Sequence, residues 1–214
     1  MKGCKGLKFF QRIPSNPKEG MIFTRLGYRK TTTLIDKAYK KKLESSIKTG
    51  LSLCDTKGVF QRCEIISKDV EFVELGNGAI FQSASLSKLL ENSQELVLMA
   101  ATVGSGIVER ISKEIKSGDA AFGVVLDAVA SETADSALDW MMNFINRMMM
   151  REARRLTRMR YSPGYGDLPL SCQKIIYDML ELDRLDLNIT EKFMLVPEKS
   201  VIAIAGVEGI DSNE

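Results

Sequence analysis

The chain has 214 residues, of which 30 are Lys or Arg and 28 are Asp or Glu, so its net charge is +2. This balance, together with 44% hydrophobic residues, is typical of an ordinary globular protein and indicates no nucleic-acid partner. Because histidine is absent, Ser-His and Cys-His nucleophile pairs and imidazole metal sites are excluded.

The N-terminal half is predicted to contain an arm, one surface helix and several short strands. Residues 1–20 carry two prolines and three glycines without periodicity, which predicts an arm lying on the domain surface or on a partner, followed by a single domain over 21–214. Apolar residues at helical spacing predict a helix from Thr31 to Lys48. Short β-branched segments over 59–66 and 70–75 predict a hairpin. AIFQS and ELVLMAATV predict two more strands, with a short helix, SLSKLLENS, between them.

The C-terminal half is predicted to be richer in helix. Gly104 and Gly106 begin a predicted helix, and a lone Gly-x-Gly of this kind is more typical of a tight turn than of a phosphate site. A long helix is predicted from residue 119 toward residue 158, with a break near Gly123 or Ser131 as the alternative. A helix over 171–182 and two strands, ITEKFMLV and SVIAIAGV, follow. Because strands and helices are interspersed without βαβ alternation, we predict an α+β fold with a mainly antiparallel sheet flanked by helices.

Cellular location and thiol chemistry can also be predicted. No segment approaches the roughly 20 apolar residues that a membrane-spanning helix needs, and the N-terminus lacks the apolar region of a signal peptide. We therefore predict a cytoplasmic protein without a membrane partner. The sequence contains no Cys-x-x-Cys pair, which predicts free thiols and no metal site. The four cysteines are Cys4, Cys54, Cys63 and Cys172.

The most unusual local sequence is RYSPGYGD over residues 160–167. A helix cannot continue through Pro163 and two glycines, so this segment predicts an exposed loop. Such a loop can present main-chain groups to a small molecule, with Gly164 permitting close approach. Arg160 can hold a carboxylate through two parallel hydrogen bonds, and the two tyrosines offer flat surfaces for a ring or an onium group. A helix-stop turn with a surface arginine is the alternative interpretation.

The motif Arg160-x-x-x-Gly164-Tyr165 resembles the R-x-x-x-G-Y motif of the S-adenosylmethionine-binding activation domain of cobalamin-dependent methionine synthase. Three flanking segments, ATVGSGIVERI, DAVASETADSALDWM and LNITEKFMLVPEKSVIAIAG, also look like segments of that family, in the same order. The resemblance covers residues 95–206 well and the N-terminal half loosely. It implies a C-shaped α+β domain with a twisted antiparallel sheet that binds S-adenosylmethionine in a shallow site.

The resemblance also implies a set of binding residues. Arg160 would hold the methionyl carboxylate, main chain from Tyr161 to Gly164 would contact the adenine, and Tyr165 would wall the nucleoside. An aspartate of the long helix matches an acidic family residue, with a helix-surface aspartate as the alternative. The implied S-adenosylmethionine-binding residues are Arg160, Tyr161, Ser162, Pro163, Gly164, Tyr165 and Asp135, with no catalytic residue and no metal ligand. Two family features have no counterpart: an N-terminal Asp-Trp segment, and a tyrosine near the C-terminal strand, where Ala205 or its neighbours stand.

The activity that the resemblance implies is reactivation of a methyltransferase in methionine biosynthesis. In that family, inactive cob(II)alamin is rescued by one electron, from flavodoxin in the studied cases, and by a methyl group from S-adenosylmethionine. The chain is too short for homocysteine, folate and cobalamin modules, which predicts action in trans on a separately encoded core enzyme that carries the cobalamin. The arginines over 147–158 are interpreted either as a surface for an acidic electron donor or as a solvated helix end.

Two other functions remain open at this point. The chain could be a regulatory or docking module for a corrinoid protein without binding S-adenosylmethionine itself. It could also be an ordinary S-adenosylmethionine methyltransferase with a non-corrinoid substrate. The second alternative is disfavoured because the sequence has no Gly-rich strand-helix loop followed by an acidic residue.

Overall fold

The computed structural model describes residues 3–29 and 36–210 of the chain. The strands are β1 (Lys8–Phe10), β2 (Lys57–Lys68), β3 (Phe72–Leu75), β4 (Ile80–Gln82), β5 (Glu95–Thr102), β6 (Arg154–Leu156), β7 (Asn188–Ile189), β8 (Leu195–Val196) and β9 (Ser200–Gly209). The helices are α1 (Glu19–Arg25), α2 (Lys37–Leu53), α3 (Ala84–Leu89), α4 (Ser105–Ser117), α5 (Ala120–Met149) and α6 (Cys172–Met179). Short 3-10 turns follow α5 and α6, at Met150–Glu152 and Leu182–Leu185.

The main sheet is antiparallel throughout and curls into a half-barrel. Its order is β4-β3-β2-β5-β9-β6, and β1 also pairs with β2. The central strands are β2, β5 and β9, and β5 pairs with both of the others along its full length. Strands β7 and β8 form a separate two-stranded ribbon. The fold prediction of a mainly antiparallel sheet flanked by helices is therefore confirmed.

Apolar layers cover both faces of the sheet because β5 is apolar on both sides. Val97 and Met99 belong to the layer under α5, whereas Leu96 and Leu98 belong to the layer under α3 and α6. A strand buried on both faces reads as a continuous apolar run, which explains why ELVLMAAT lacks alternation. On α5, Leu138, Met141, Ile145 and Met149 are buried, Met142 is half-buried and Met148 is exposed.

Most of the predicted elements in the first two thirds of the chain are confirmed. The hairpin is β2 and β3, although β2 extends to Lys68 and the turn therefore starts later than predicted. The short helix α3 begins one residue earlier than predicted, because the Ser83 hydroxyl accepts a hydrogen bond from the Leu86 amide. Helix α2 covers the described part of the predicted 31–48 helix, whose first residues, 31–35, lie outside the described residues.

The N-terminal segment contains more structure than its sequence indicates. Residues 8–10 form strand β1, and Phe10 packs against Phe60, Trp140 and Phe144. A three-residue strand is too short to show alternation, so the prediction of an arm without strands missed it.

The prediction of four free thiols is wrong. Cys4 and Cys63 lie opposite each other in an antiparallel bridge and form a disulfide, while Cys54 and Cys172 are free. The two bonded cysteines are 59 residues apart, and no local pattern indicates that β-pairing will bring them together.

The long helix α5 also differs from its prediction. It is continuous through Gly123 and Ser131 and ends at Met149, short of residue 158. Ala153 then adopts a left-handed conformation with φ of +52°, which turns the chain back along the sheet edge. The arginines at 154 and 155 therefore lie in β6 beside β9 rather than at the end of a helix, whereas Arg147 is in the last turn of α5. In the described part of the chain, no helix is long and apolar enough to span a membrane.

Candidate functional site

The loop over 160–167 follows the edge strand β6 and is attached to the sheet at its start. The Tyr161 amide donates to the Ile204 carbonyl at 2.8 Å, and the Ile204 amide donates to the Tyr161 carbonyl at 2.7 Å. Further along, the Gly164 amide donates to the Leu168 carbonyl at 2.9 Å. The first two bonds fix the start of the loop against β9, and all three use main-chain groups that the sequence interpretation had assigned to a ligand.

Both loop glycines have backbone conformations that other residues rarely adopt. The φ angle is +90° at Gly164 and +52° at Gly166. A Cβ atom on Gly166 would lie only 2.1 Å from the Tyr161 hydroxyl oxygen. Gly164 does not line either of the clefts described below.

Asp167 ties the end of the loop to the first turn of α3. The Ser83 hydroxyl donates to Oδ1 at 2.6 Å, the Ala84 amide donates to Oδ2 at 2.6 Å, and the Ser85 amide donates to Oδ2 at 3.2 Å. These hydrogen bonds, of which the one from Ser83 has the largest effect, lower the pKa of Asp167 to about 2. The carboxylate thus serves as an extra cap that fixes the loop to the helix.

An inner cleft of about 190 Å³ opens between the loop, α5, α6 and the start of β9. Its lining combines polar and apolar side chains in similar measure. Tyr165 is 70% exposed and presents its ring at the cleft. The cleft is lined by Asp135, Leu138, Arg160, Ser162, Pro163, Tyr165, Gln173, Ser200, Val201 and Ile202.

A larger arm cleft, of about 720 Å³, lies between the N-terminal segment and the opposite flank of α5. The N-terminal segment contributes Pro14, Asn16, Pro17, Lys18, Met21 and Arg25, and α5 contributes Glu132, Asp135, Ser136, Asp139, Trp140 and Asn143. Arg160 completes the lining. Because Asp135 and Arg160 line both clefts, this pair marks the junction between them.

The junction is a network of two arginines and three carboxylates. Arg160 donates through Nη1 to Asp139, and its Nη2 lies 3.9 Å from Asp135 Oδ1. Arg25, from α1, donates through Nε to Glu132 at 2.7 Å and through Nη2 to Asp135 at 3.3 Å. Burial raises the pKa of Asp135, and the positive charges of Arg160 and Arg25 oppose that rise.

This network is suited to a ligand that carries both charges. The Arg160 guanidinium is planar and 25% exposed, so it can take a carboxylate through parallel hydrogen bonds. The carboxylates next to it can take an ammonium or a sulfonium group, whereas a ligand with a carboxylate alone would be repelled by them. In the described ranges, no group of three or more Asp, Glu or Cys side chains is placed to hold a metal ion.

The structure brings most of the implied binding residues together. The inner cleft is lined by Arg160, Ser162, Pro163, Tyr165 and Asp135 but not by Tyr161 or Gly164.

Sequence reasoning missed five polar residues of the site, including Arg25 and Glu132 of the junction network. Asp139 is the direct partner of Arg160, and its position one helical turn after Asp135 was a usable signal. Gln173 and Ser200 come from α6 and β9, and no local pattern connects them with the loop.

Comparison with known proteins supports the fold. No family model and no curated protein matches the chain. Among solved structures, the chain is similar to a crystal structure of the MetH reactivation domain bound to AdoHcy. The TM-score is 0.72 at 12% sequence identity, and the match covers 98% of this chain and 80% of that one. The chain therefore has the fold of that domain, as the sequence resemblance implied.

Proposed function

We propose that this chain binds S-adenosylmethionine across the two clefts and supports reductive methylation of inactive cob(II)alamin on a cobalamin-dependent methionine synthase. The observation that carries the proposal is the position of Arg160, at the junction of two clefts and paired with carboxylates, in a chain with the fold of a reactivation domain. A role as reactivation subunit of a methyltransferase follows from this, with no turnover by the chain alone.

The size of the clefts supports a ligand that extends through the junction. Small-molecule sites usually have volumes of about 300–1,000 Å³, which exceeds the 190 Å³ of the inner cleft alone. The nucleoside end would enter the inner cleft, where Tyr165 and Pro163 offer flat walls. The carboxylate would meet Arg160, and the ammonium would meet Asp139 or Asp135.

The contribution of this chain to the reaction is binding and orientation. One electron from a low-potential donor, together with the methyl group of S-adenosylmethionine, converts cob(II)alamin to methylcobalamin and leaves S-adenosylhomocysteine. The methyl group on the sulfonium sulfur must face the cobalt in one orientation. The fixed Arg160 guanidinium and the loop can hold the ligand in that orientation. None of these steps needs a histidine from this chain, which has none.

The proposed partners follow from the same chemistry. The cobalamin is carried by a separately encoded methionine synthase core that this chain serves in trans, and the electron comes from flavodoxin or another low-potential donor. A docking module that does not bind S-adenosylmethionine is the competing function. It differs in that reactivation would need the chain but not S-adenosylmethionine.

The test combines calorimetry with reconstitution. The chain is titrated with S-adenosylmethionine and S-adenosylhomocysteine, first alone and then with a cobalamin-loaded core enzyme that lacks its own activation domain. With a low-potential donor and S-adenosylmethionine present, the cobalamin absorption spectrum should change to that of methylcobalamin only when the chain is added. Recovery at the same rate without the chain would contradict the proposal. Recovery that needs the chain but not S-adenosylmethionine would favour the docking module.

A further inference from the structure

Gln173 is a polar residue of the inner cleft that the proposed function has not yet used. It lies in the first turn of α6, where its main-chain N–H donates to the Leu170 carbonyl at 2.9 Å. The residue is half-buried, and its side chain lines the cleft. Within the described residues, its carboxamide has no hydrogen-bond partner. A carboxamide that lines this cleft without a partner in the protein is available to a ligand.

Several main-chain groups of the loop already have partners within the protein. Both main-chain groups of Tyr161 bond to Ile204, and the Gly164 amide bonds to the Leu168 carbonyl. The Tyr165 amide donates to the Ser162 carbonyl at 3.2 Å. Side chains can therefore add to the polar recognition that the loop main chain offers.

The cleft also limits what kind of group can enter it. Leu138, Val201 and Ile202 form apolar walls, and the rings of Pro163 and Tyr165 add flat surfaces. Stacking on a ring is favourable for any planar heterocycle. A volume of about 190 Å³ suits one ring system rather than a whole nucleoside with its amino-acid tail. The space beside Gln173 is therefore suited to a planar base.

We infer that Gln173 reads the edge of the adenine formed by N6 and N7. This inference rests on the proposed function. A glutamine amide has an oxygen that accepts from the N6 amino group and an NH₂ that donates to N7. Hypoxanthine carries an oxygen in place of that amino group, so this edge of the base has two acceptors and no donor. The glutamine NH₂ can still donate a hydrogen bond to it, but the glutamine oxygen has no donor to accept from. Gln173 thus selects the adenine form of the ligand.

The experiment compares S-adenosylhomocysteine with its hypoxanthine analogue, S-inosylhomocysteine, by calorimetry. Wild type should bind the adenine ligand more tightly. Gln173→Leu should weaken binding of the adenine ligand by about 10- to 100-fold and bring the affinity ratio of the two ligands close to one. Gln82→Leu is the matched control, because Gln82 is exposed on β4 and lines neither cleft. It should change neither the affinities nor their ratio.

The outcomes separate this inference from the proposed function. If Gln173→Leu keeps the wild-type affinities and ratio, or loses both affinities equally, Gln173 does not select the base and the inference is overturned. If wild type binds neither S-adenosylhomocysteine nor S-adenosylmethionine, the proposed function itself fails. Gln173→Glu provides a second variant should the leucine variant fail to fold. It keeps the acceptor and loses the donor, so the adenine ligand should again bind more weakly.

Discussion

Arg160 already has carboxylate partners, and this determines what a ligand must offer it. One edge of the guanidinium faces Asp139, while Nη2 is 3.9 Å from Asp135. Arginine has five N–H donors, so a ligand carboxylate can bind while part of the pairing remains. The aspartates hold the fork in place before any ligand arrives, and such pre-organisation reduces the entropy lost on binding.

Replacement of this arginine should therefore reduce ligand affinity sharply. We expect Arg160→Ala to weaken S-adenosylhomocysteine binding by about 1.5–3 kcal/mol, the usual value of a charged hydrogen bond. Arg160→Lys should restore little, because an ammonium cannot form the parallel pair. Calorimetry measures both effects, with Arg158→Ala as the control because Arg158 is exposed and lines neither cleft. Wild-type affinity in a folded Arg160→Ala protein would exclude the assigned role.

Gly166 allows a stability test at the same scale. Gly166→Ala should destabilise the chain by about 1–3 kcal/mol, because its φ of +52° is unfavourable for alanine and its new Cβ would clash with the Tyr161 hydroxyl. Adding Tyr161→Phe should recover part of the loss, since the hydroxyl is the closest atom. Urea unfolding measures the change. Gly6→Ala is the control, because a Cβ there meets no atom within 4 Å. Equal stability of both alanine variants would contradict this account.

At the scale of elements, the capping of α3 by Asp167 should make stability depend on pH. The pKa of this carboxyl is about 2 in the folded chain and 3.8 in its unperturbed state. Because the folded value is the lower one, the stabilisation is complete above pH 4 and is lost as the pH falls from about 4 to 2. Thermal melting of wild type and Asp167→Asn should therefore differ near pH 6 and converge near pH 2. Glu109→Gln, at an exposed carboxylate of α4, should show no such convergence.

The sequence predicts the helices and strands whose apolar residues form an uninterrupted pattern. Prediction from sequence fails where a single residue changes the direction of the chain. Strand β5 could be predicted because it is a continuous apolar run, and helix α4 because its apolar residues recur at helical spacing. The end of α5 could not, because Ala153 turns the chain without a glycine or proline and arginines are good helix formers. For the site, the loop and Arg160 are local in sequence, whereas Gln173 reaches the cleft only through the tertiary packing of α6.

For the molecule as a whole, the bond between Cys4 and Cys63 joins the N-terminal segment to the central sheet. It closes a loop across a sequence separation of 59 residues, and such cross-links typically contribute about 2–4 kcal/mol. The oxidised, denatured chain should therefore show two reactive thiols, those of Cys54 and Cys172, rather than four. Reduction should lower the free energy of unfolding. Thiol titration with and without reductant checks the first expectation and urea unfolding of both forms checks the second, and four thiols in the oxidised protein would show that the bond is absent.

The inner cleft has a further consequence, which concerns solvent. A space of 190 Å³ corresponds to about six water molecules at roughly 30 Å³ each. A base entering between Leu138, Pro163 and Ile202 would return that water to the bulk and cover apolar surface, and the heat capacity falls when such surface is covered. Binding should therefore release more heat as the temperature rises. A ligand that lacks the base and engages only Arg160 should show much less of this dependence.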